Sequence, residues 1–242
     1  MIDPSRAYPA QPEGGDPWRY SKRSRGPGNA HGNNGLPSAS DPETVDTSAR
    51  DGTTHVSVLD KQGNMVCGTI SGGAFAKSVF FPDLGCALST RIEMFNNEEG
   101  HPNIVEPGKR PRTTLINYII SRNGQPVMTV GCPGGDNQAQ ANIQLMLNVL
   151  VFGMDPQQAV EAPRFATMSN VNSFYPHVYH PGRSDLEQAI PETTAEELRA
   201  LGHQIARAVD CGMGATVSVR DPETGHLSTG ADPRRACYAI AL

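Results

Sequence analysis

A layered α+β architecture is predicted for most of this 242-residue chain. Three observations predict it. β-rich runs face one another across short turn segments. Segments with helical caps and stops lie between those hairpins. The first 52 residues show neither pattern, which sets them apart from residues 53–242. Antiparallel hairpins interleaved with helices are best satisfied by helices packed on antiparallel sheet.

Residues 1–52 hold seven prolines and seven glycines, about twice the usual share of these residues. The run Ser21–Ser40 has no periodicity and only Leu36 as a branched aliphatic residue. It reads as a flexible tail or linker. Its basic cluster, Lys22, Arg23 and Arg25, is read as solvated linker charge, with nucleic-acid or partner binding as the alternative. The length suits one domain, or two small ones.

Three hairpins follow. Thr54–Asp60 is rich in β-branched residues, alternates, and turns at Lys61–Asn64 into Met65–Ser71. Leu115–Ser121 pairs with Gln125–Gly131 around Arg122-Asn123-Gly124. Ala215–Arg220 pairs with His226–Thr229 around a turn that contains Asp221-Pro222 and Gly225. Each has turn-forming residues between β-formers.

Three helices are predicted between them. Asn137–Phe152 places Ile143, Met146, Leu147, Leu150 and Val151 on one face, with Asp136 as a cap and Gly153 as a stop. Pro156–Ala162 starts at Asp155-Pro156 and is ended by Pro163. Ala195–Leu201 carries the capping-box pattern Thr194-x-x-Glu197 and the stop Gly202.

Composition excludes several functions. About 37% of residues are hydrophobic and the net charge is −5, with no basic stripe, so nucleic acid is not an expected partner. No apolar run approaches the roughly 18 residues of a membrane span. The start, MIDPSRAYPAQ, lacks a signal-peptide core. Five cysteines without C-x-x-C spacing point to free thiols in a reducing, cytoplasmic compartment. Seven scattered histidines have no ligand spacing, so neither metal nor cofactor is expected.

Three stretches carry candidate chemistry, and each has a plainer reading. Thr53 in Gly52-Thr53-Thr54-His55 opens a strand. Cleavage before it would also free an α-amine, whose ordinary pKa near 7.7–8.0 suits a base for the hydroxyl. Cys132–Gln138, CPGGDNQ, is a strand-to-helix turn. Its glycines could equally expose backbone N–H groups to an oxyanion. Pro107–Thr114, PGKRPRTT, pairs Thr113 and Thr114 behind Lys109, Arg110 and Arg112. It is a solvated basic strand head or a carboxylate site.

Taken together, in this order, TTHVSVLDKQGN, GKRPRTTL and GCPGGDNQ resemble the small subunit of γ-glutamyltransferases and their relatives. MDPQQAVEAPRF, Met154–Phe165, and GADPRRACYA, Gly230–Ala239, extend the resemblance over Thr53–Leu242. It implies part of the αββα sandwich of an N-terminal-nucleophile hydrolase. It also implies a self-processing precursor, or zymogen, cut between Gly52 and Thr53. Thr53 would then be the nucleophile and its own amine the base. Ser71 would orient it, and Gly134 and Gly135 would form the oxyanion hole. Thr113 and Thr114 fall where the family contacts the glutamyl carboxylate. The implied substrates are small-molecule amides, glutathione-like or of another small acid, with water or an amine as acceptor.

Two departures qualify the resemblance. The segment that contacts the glutamyl α-amine reads Ser89–Phe95, STRIEMF, with Arg91 for an amide, Met94 for an acidic residue and Glu93 nearby. An Arg there repels an ammonium and suits an acyl group bearing a carboxylate, such as oxamate. This favours the γ-glutamyltransferase-like amidohydrolase branch. Gly73 stands where the family has Asn. Residues 1–52 resemble only the tail of a large subunit, so the chain reads as a truncated reading frame or as a subunit encoded apart from its partner, and a large-subunit region is the expected partner. A catalytically silent fragment is the alternative.

Overall fold

The computed structural model describes residues 5, 52–73, 78–211 and 214–240. The predicted linker over 1–52 lies outside them except for Ser5 and Gly52.

The first hairpin forms as predicted, one residue earlier. Strand β1 (Thr53–Leu59) pairs antiparallel with β2 (Met65–Ser71), and Thr53 stands opposite Ser71. Asp60 closes the turn by accepting from Asn64 N (2.8 Å) and Asn64 Nδ2 (2.7 Å). Two-residue strands β3 (Phe80–Phe81) and β4 (Cys86–Ala87) make a small outlying pair. A 3₁₀ turn, Arg91–Met94, follows.

The second and third hairpins join into one antiparallel sheet. Strands β5 (Asn117–Arg122) and β6 (Gln125–Gly131) turn at Asn123 and Gly124, whose φ values of 53° and 78° suit an Asn-Gly hairpin turn. After β6 come the helices α1 (Asn137–Leu150) and α2 (Pro156–Glu161).

Like β3 and β4, three further strands had no counterpart in the sequence reading. Strand β7 (Phe165–Thr167) pairs antiparallel with β8 (Arg183–Glu187). β8 then pairs in parallel with β9 (Gln204–Ala208), across the helix α3 (Glu192–Ala200). β7 has only three residues, and β8 and β9 carry Arg, Asp, Glu and Gln, so no apolar alternation announces them. Finally β10 (Thr216–Arg220) and β11 (Leu227–Ala231) complete the larger sheet, ordered β11-β10-β6-β5.

The register divides that sheet into two faces. Tyr118, Val130, Val217 and Gly230 lie side by side on one. This face meets α1 and α2 in a core of Met128, Val130, Ala141, Leu145, Val160 and Val217. Gly230 lets α2 approach: a Cβ there would meet the Pro156 carbonyl oxygen at 2.3 Å. Asn117, Gly131 and Thr216 line the other face, against the β1–β2 hairpin. Here a Cβ on Gly131 would meet the His55 ring at 2.0 Å.

Three helix expectations need correction. Most of the predicted apolar stripe of α1 does not face the sheet; of its five residues only Met146 packs against the core. Gln138, Ala141, Asn142 and Leu145 are buried, while Ile143, Leu147 and Leu150, and Val151 just beyond, are exposed. The reason lies in the amides. Gln140 exchanges two hydrogen bonds with the Thr167 backbone (2.8 and 3.1 Å), and Gln144 does the same with Phe165 (3.1 and 2.9 Å). The half-buried flank of α1 thus serves as a partner for the open edge of β7. Asp136 makes no cap bond; its carboxylate is taken by Ser173. Thr194 lies inside α3, which starts earlier, at Glu192, with Pro191 in the cap position. By contrast, α2 has a full capping box, Asp155 with Gln158, and Gly153 and Gly202 take the positive φ expected of stops.

Candidate active site

Thr53 and Ser71 meet at the open end of the β1–β2 hairpin. Thr53 Oγ1 donates to Ser71 Oγ at 2.9 Å, and Ser71 Oγ accepts from Gly73 N at 3.0 Å. One hydroxyl therefore fixes the Thr53 side chain and the turn beyond it. Gly52 sits in a turn directly before Thr53.

Gly73 is buried and has φ of +99°. A Cβ on it would lie 2.1 Å from Thr90 Oγ1. Any side chain at this position would be strained, for reasons of both space and backbone conformation. Thr90 N donates to Gly72 O at 2.8 Å, and Thr90 Oγ1 to Glu93 Oε1 at 3.2 Å. The 3₁₀ turn bearing Arg91 and Glu93 is thereby latched to the end of β2.

Gly134 and Gly135 adopt φ of +128° and +57°. Their carbonyls accept from Asn137 N (3.1 Å) and Gln138 N (3.2 Å), which leads the chain into α1. Asp136 holds the loop that follows β7: Ser173 N donates to it at 2.7 Å, Ser173 Oγ bonds it as well, and Arg112 lies 3.6 Å away. Arg112 also donates to Ser173 Oγ. Arg112 is therefore a strut between PRTT and the glycine turn, whereas Lys109 pairs with Glu106 at 3.3 Å.

Thr113 Oγ1 accepts from Leu115 N at 3.1 Å. Thr114 Oγ1 is buried and has no hydrogen-bond partner among the described residues. The two threonines lead into Ile116. Its carbonyl accepts from Thr69 Oγ1 at 3.4 Å, and its N–H donates to Gln138 at 3.2 Å. PRTT is thus bound to β2 on one side and to the head of α1 on the other.

Two functional candidates were not singled out from the sequence. His55 shares the inward face of β1 with Thr53. Its ring is hydrogen-bonded to Thr69 Oγ1 (2.8 Å) and Ser57 Oγ (2.9 Å), and burial lowers its pKa from 6.5 to about 4. Its i, i+2 relation to Thr53 was available as a signal. Phe174 lies in the irregular stretch after β7, where no periodicity marks it.

The surrounding sheet, hairpin and helices form the layered α+β fold of the N-terminal-nucleophile hydrolases, and solved relatives share it. A model of the gamma-glutamyltranspeptidase family matches residues 7–242. The chain belongs to that family. It is 30% identical over 234 residues to the glutathione hydrolase proenzyme of Bacillus subtilis (strain 168), covering 96% of this chain and 36% of the relative. It is similar to the solved LmbA2991HD (40% identity, TM-score 0.72, 78% of this chain and 34% of that one). The cephalosporin acylase of Bacillus halodurans is also similar (30% identity, TM-score 0.69, 78% and 34%). The chain spans about a third of the length of these relatives.

The two outlying motifs of the resemblance also meet. Arg164 and Asp232, both fully buried, form an ion pair. Arg234 donates to Glu187 (2.7 Å) and to the carbonyls of Val160, Glu161 and Ala162. MDPQQAVEAPRF and GADPRRACYA are thus two halves of one clamp.

Proposed function

We propose that this chain is the catalytic small-subunit portion of a self-processing threonine-nucleophile amide hydrolase or acyltransferase. Cleavage of the Gly52–Thr53 bond frees the Thr53 amine. That amine takes the Thr53 hydroxyl proton as Oγ1 attacks the amide carbonyl. The oxygen of the tetrahedral intermediate is held by the backbone N–H groups of Gly134 and Gly135. The leaving amine takes the proton, and an acyl ester on Thr53 remains. Water, or an amine acceptor, then releases the acyl group. The observation that carries the reading is the Thr53–Ser71–Gly73 hydrogen-bond chain, which holds the hydroxyl in one place.

Arg91, Glu93, Thr113 and Thr114 are the proposed acyl-binding residues. γ-Glutamyl amides and other small-acid amides both remain in scope, since the relatives include glutathione hydrolases and acylases. A large-subunit region is the proposed partner. Its support is the exposed apolar surface: Val56, Val58, Val66 and Ile70 on the outside of the hairpin, and Ile143, Leu147 and Leu150 on α1. The same surface favours a second reading, in which the chain alone is silent until that region covers it.

Hydrolysis of a small-acid amide panel by the chain, expressed with and without a large-subunit region, tests the proposal. Thr53→Ala should abolish turnover in every active preparation. Retained turnover in Thr53→Ala would refute the nucleophile. Equal activity with and without the region would refute the partner.

A further inference from the structure

Gly134 and Gly135 meet two opposing demands. Neither N–H has an acceptor among the described residues, as an oxyanion site requires. A turn that leaves its donors open cannot use them to hold itself. Its own bonds run only through the two carbonyls, to Asn137 N and Gln138 N. Glycine is also the residue least restrained by its own backbone. The turn must therefore be fixed from outside.

The pair Ser173-Phe174, in the loop after β7, does this. Ser173 is 1% exposed. Its N–H donates to Asp136 Oδ2 at 2.7 Å, and its hydroxyl to Asp136 Oδ1. Arg112 donates to the same hydroxyl and lies 3.6 Å from the same carboxylate oxygen. Burial shields these bonds from competing water. Phe174 acts by contact: a Cβ on Gly135 would lie 3.2 Å from its Cε2. The ring is itself braced. The Arg91 guanidinium lies 5.7 Å from its centre, and Tyr175 N donates to Glu93 O at 3.1 Å. PRTT, the glycine turn and the loop after β7 thus meet at one buried hydroxyl.

Asp136 also poses an electrostatic problem. It follows Gly135 directly, where the proposed reaction builds negative charge on the substrate oxygen. A bare carboxylate there opposes that charge. The two Ser173 donors and the Arg112 cation offset it.

We propose that Asp136, Ser173 and Arg112 are positioning residues for the oxyanion turn, with Ser173 as the hub. They act through Gly134 and Gly135 and need not touch substrate. The proposal deepens the Thr53 reading: its effect on turnover rests on that reading, and its effect on the turn does not.

Two measurements on the full chain, produced with a large-subunit region, test it. The first is steady-state turnover of γ-glutamyl p-nitroanilide or oxamate, whichever the unaltered protein hydrolyses. Ser173→Ala should lower kcat about ten- to a hundredfold with KM within about twofold, because contacts to the transition state are lost and ground-state binding is not. Asp136→Asn keeps the shape and an acceptor for Ser173 N, so it should retain more kcat than Asp136→Ala. Arg112→Gln, on a half-exposed side chain, should lower kcat by less than Ser173→Ala. The second is hydrogen exchange of the Cys132–Gln138 segment. It should quicken severalfold in Ser173→Ala and Asp136→Ala while β10 stays protected. Should Ser173→Ala loosen β10 as well, the exchange and kcat of Arg112→Gln decide alone. Unchanged exchange in that segment, a loss confined to KM, or a kcat that rises in Asp136→Asn would each overturn the proposal. Faster exchange in the variants, beside an unaltered protein that turns over neither amide, would instead count against the Thr53 reading.

Discussion

The two faces of the four-stranded sheet meet opposite chemistry. Toward α1 and α2 the sheet presents Met128, Val130 and Val217, and the layer closes on Ala141, Leu145 and Val160. Toward the β1–β2 hairpin the facing residues are Asn117, Gly131, Thr129, Thr216 and Ser218. The hairpin answers with Thr53, His55, Ser57, Cys67, Thr69 and Ser71. The first layer is held by apolar burial, which is strong and undirected. The second is held by directed bonds: His55 to Thr69 and Ser57, Thr69 to Ile116 O, and Asn117 Nδ2 to Cys67 O at 3.3 Å. Thr129 and Thr216 each bury a hydroxyl with no partner among the described residues. The lesson is a division of labour. The helix side supplies stability, and the hairpin side fixes orientation where the proposed nucleophile stands.

The difference can be broken most heavily from the apolar side. Leu145→Ala empties a fully buried position. It should cost about 2–5 kcal/mol in denaturant unfolding. A loss below about 1 kcal/mol would mean that this layer is not the principal source of stability.

Ser71→Ala acts on the other side. It removes the acceptor of Thr53 Oγ1 while leaving the apolar layer intact. Turnover should fall about a hundredfold, because a misplaced nucleophile loses its attack geometry. The unfolding midpoint should barely move. A large drop in stability with unchanged kcat would invert the proposed division.

His55 is a milder probe, read through pH. Its folded pKa of about 4 lies below the ordinary 6.5. As pH falls below about 6.5, the unfolded chain takes up a proton that the folded chain refuses until about 4. Stability present above 6.5 should therefore decline across that window. His55→Gln should flatten the decline in thermal melts recorded from pH 7 to 4. An unchanged slope would show that His55 is not held neutral by the hairpin layer.

The smallest effect is expected from Thr129→Val, which replaces an unpartnered buried hydroxyl with a methyl of similar shape. It should raise stability by about 1 kcal/mol. A loss of that size would show that the hydroxyl has a partner in solution.

The hairpins were legible because turn chemistry and β-branched runs coincide, as at Lys61–Asn64 and Asn123-Gly124. The predicted strand bounds set Thr54 opposite Ser71, whereas the observed register places Thr53 there; only the resemblance linked Thr53 to Ser71. The β7–β8–β9 sheet was not legible, because polar strands carry no period-2 apolar signal. The face of α1 was misread for a related reason. Its glutamines complete a strand edge, a use that periodicity cannot distinguish from solvent exposure. Phe174 was hidden in an aperiodic loop, and only folding brings it to Gly135 and Arg91.

The central claim is that Thr53 becomes an N-terminal residue. Intact mass and N-terminal sequencing, after expression with a large-subunit region, test it most directly. The account predicts a fragment beginning at Thr53, which Thr53→Ala fails to produce. A chain that stays uncut yet turns over an amide, or one cut elsewhere with full activity, would contradict it.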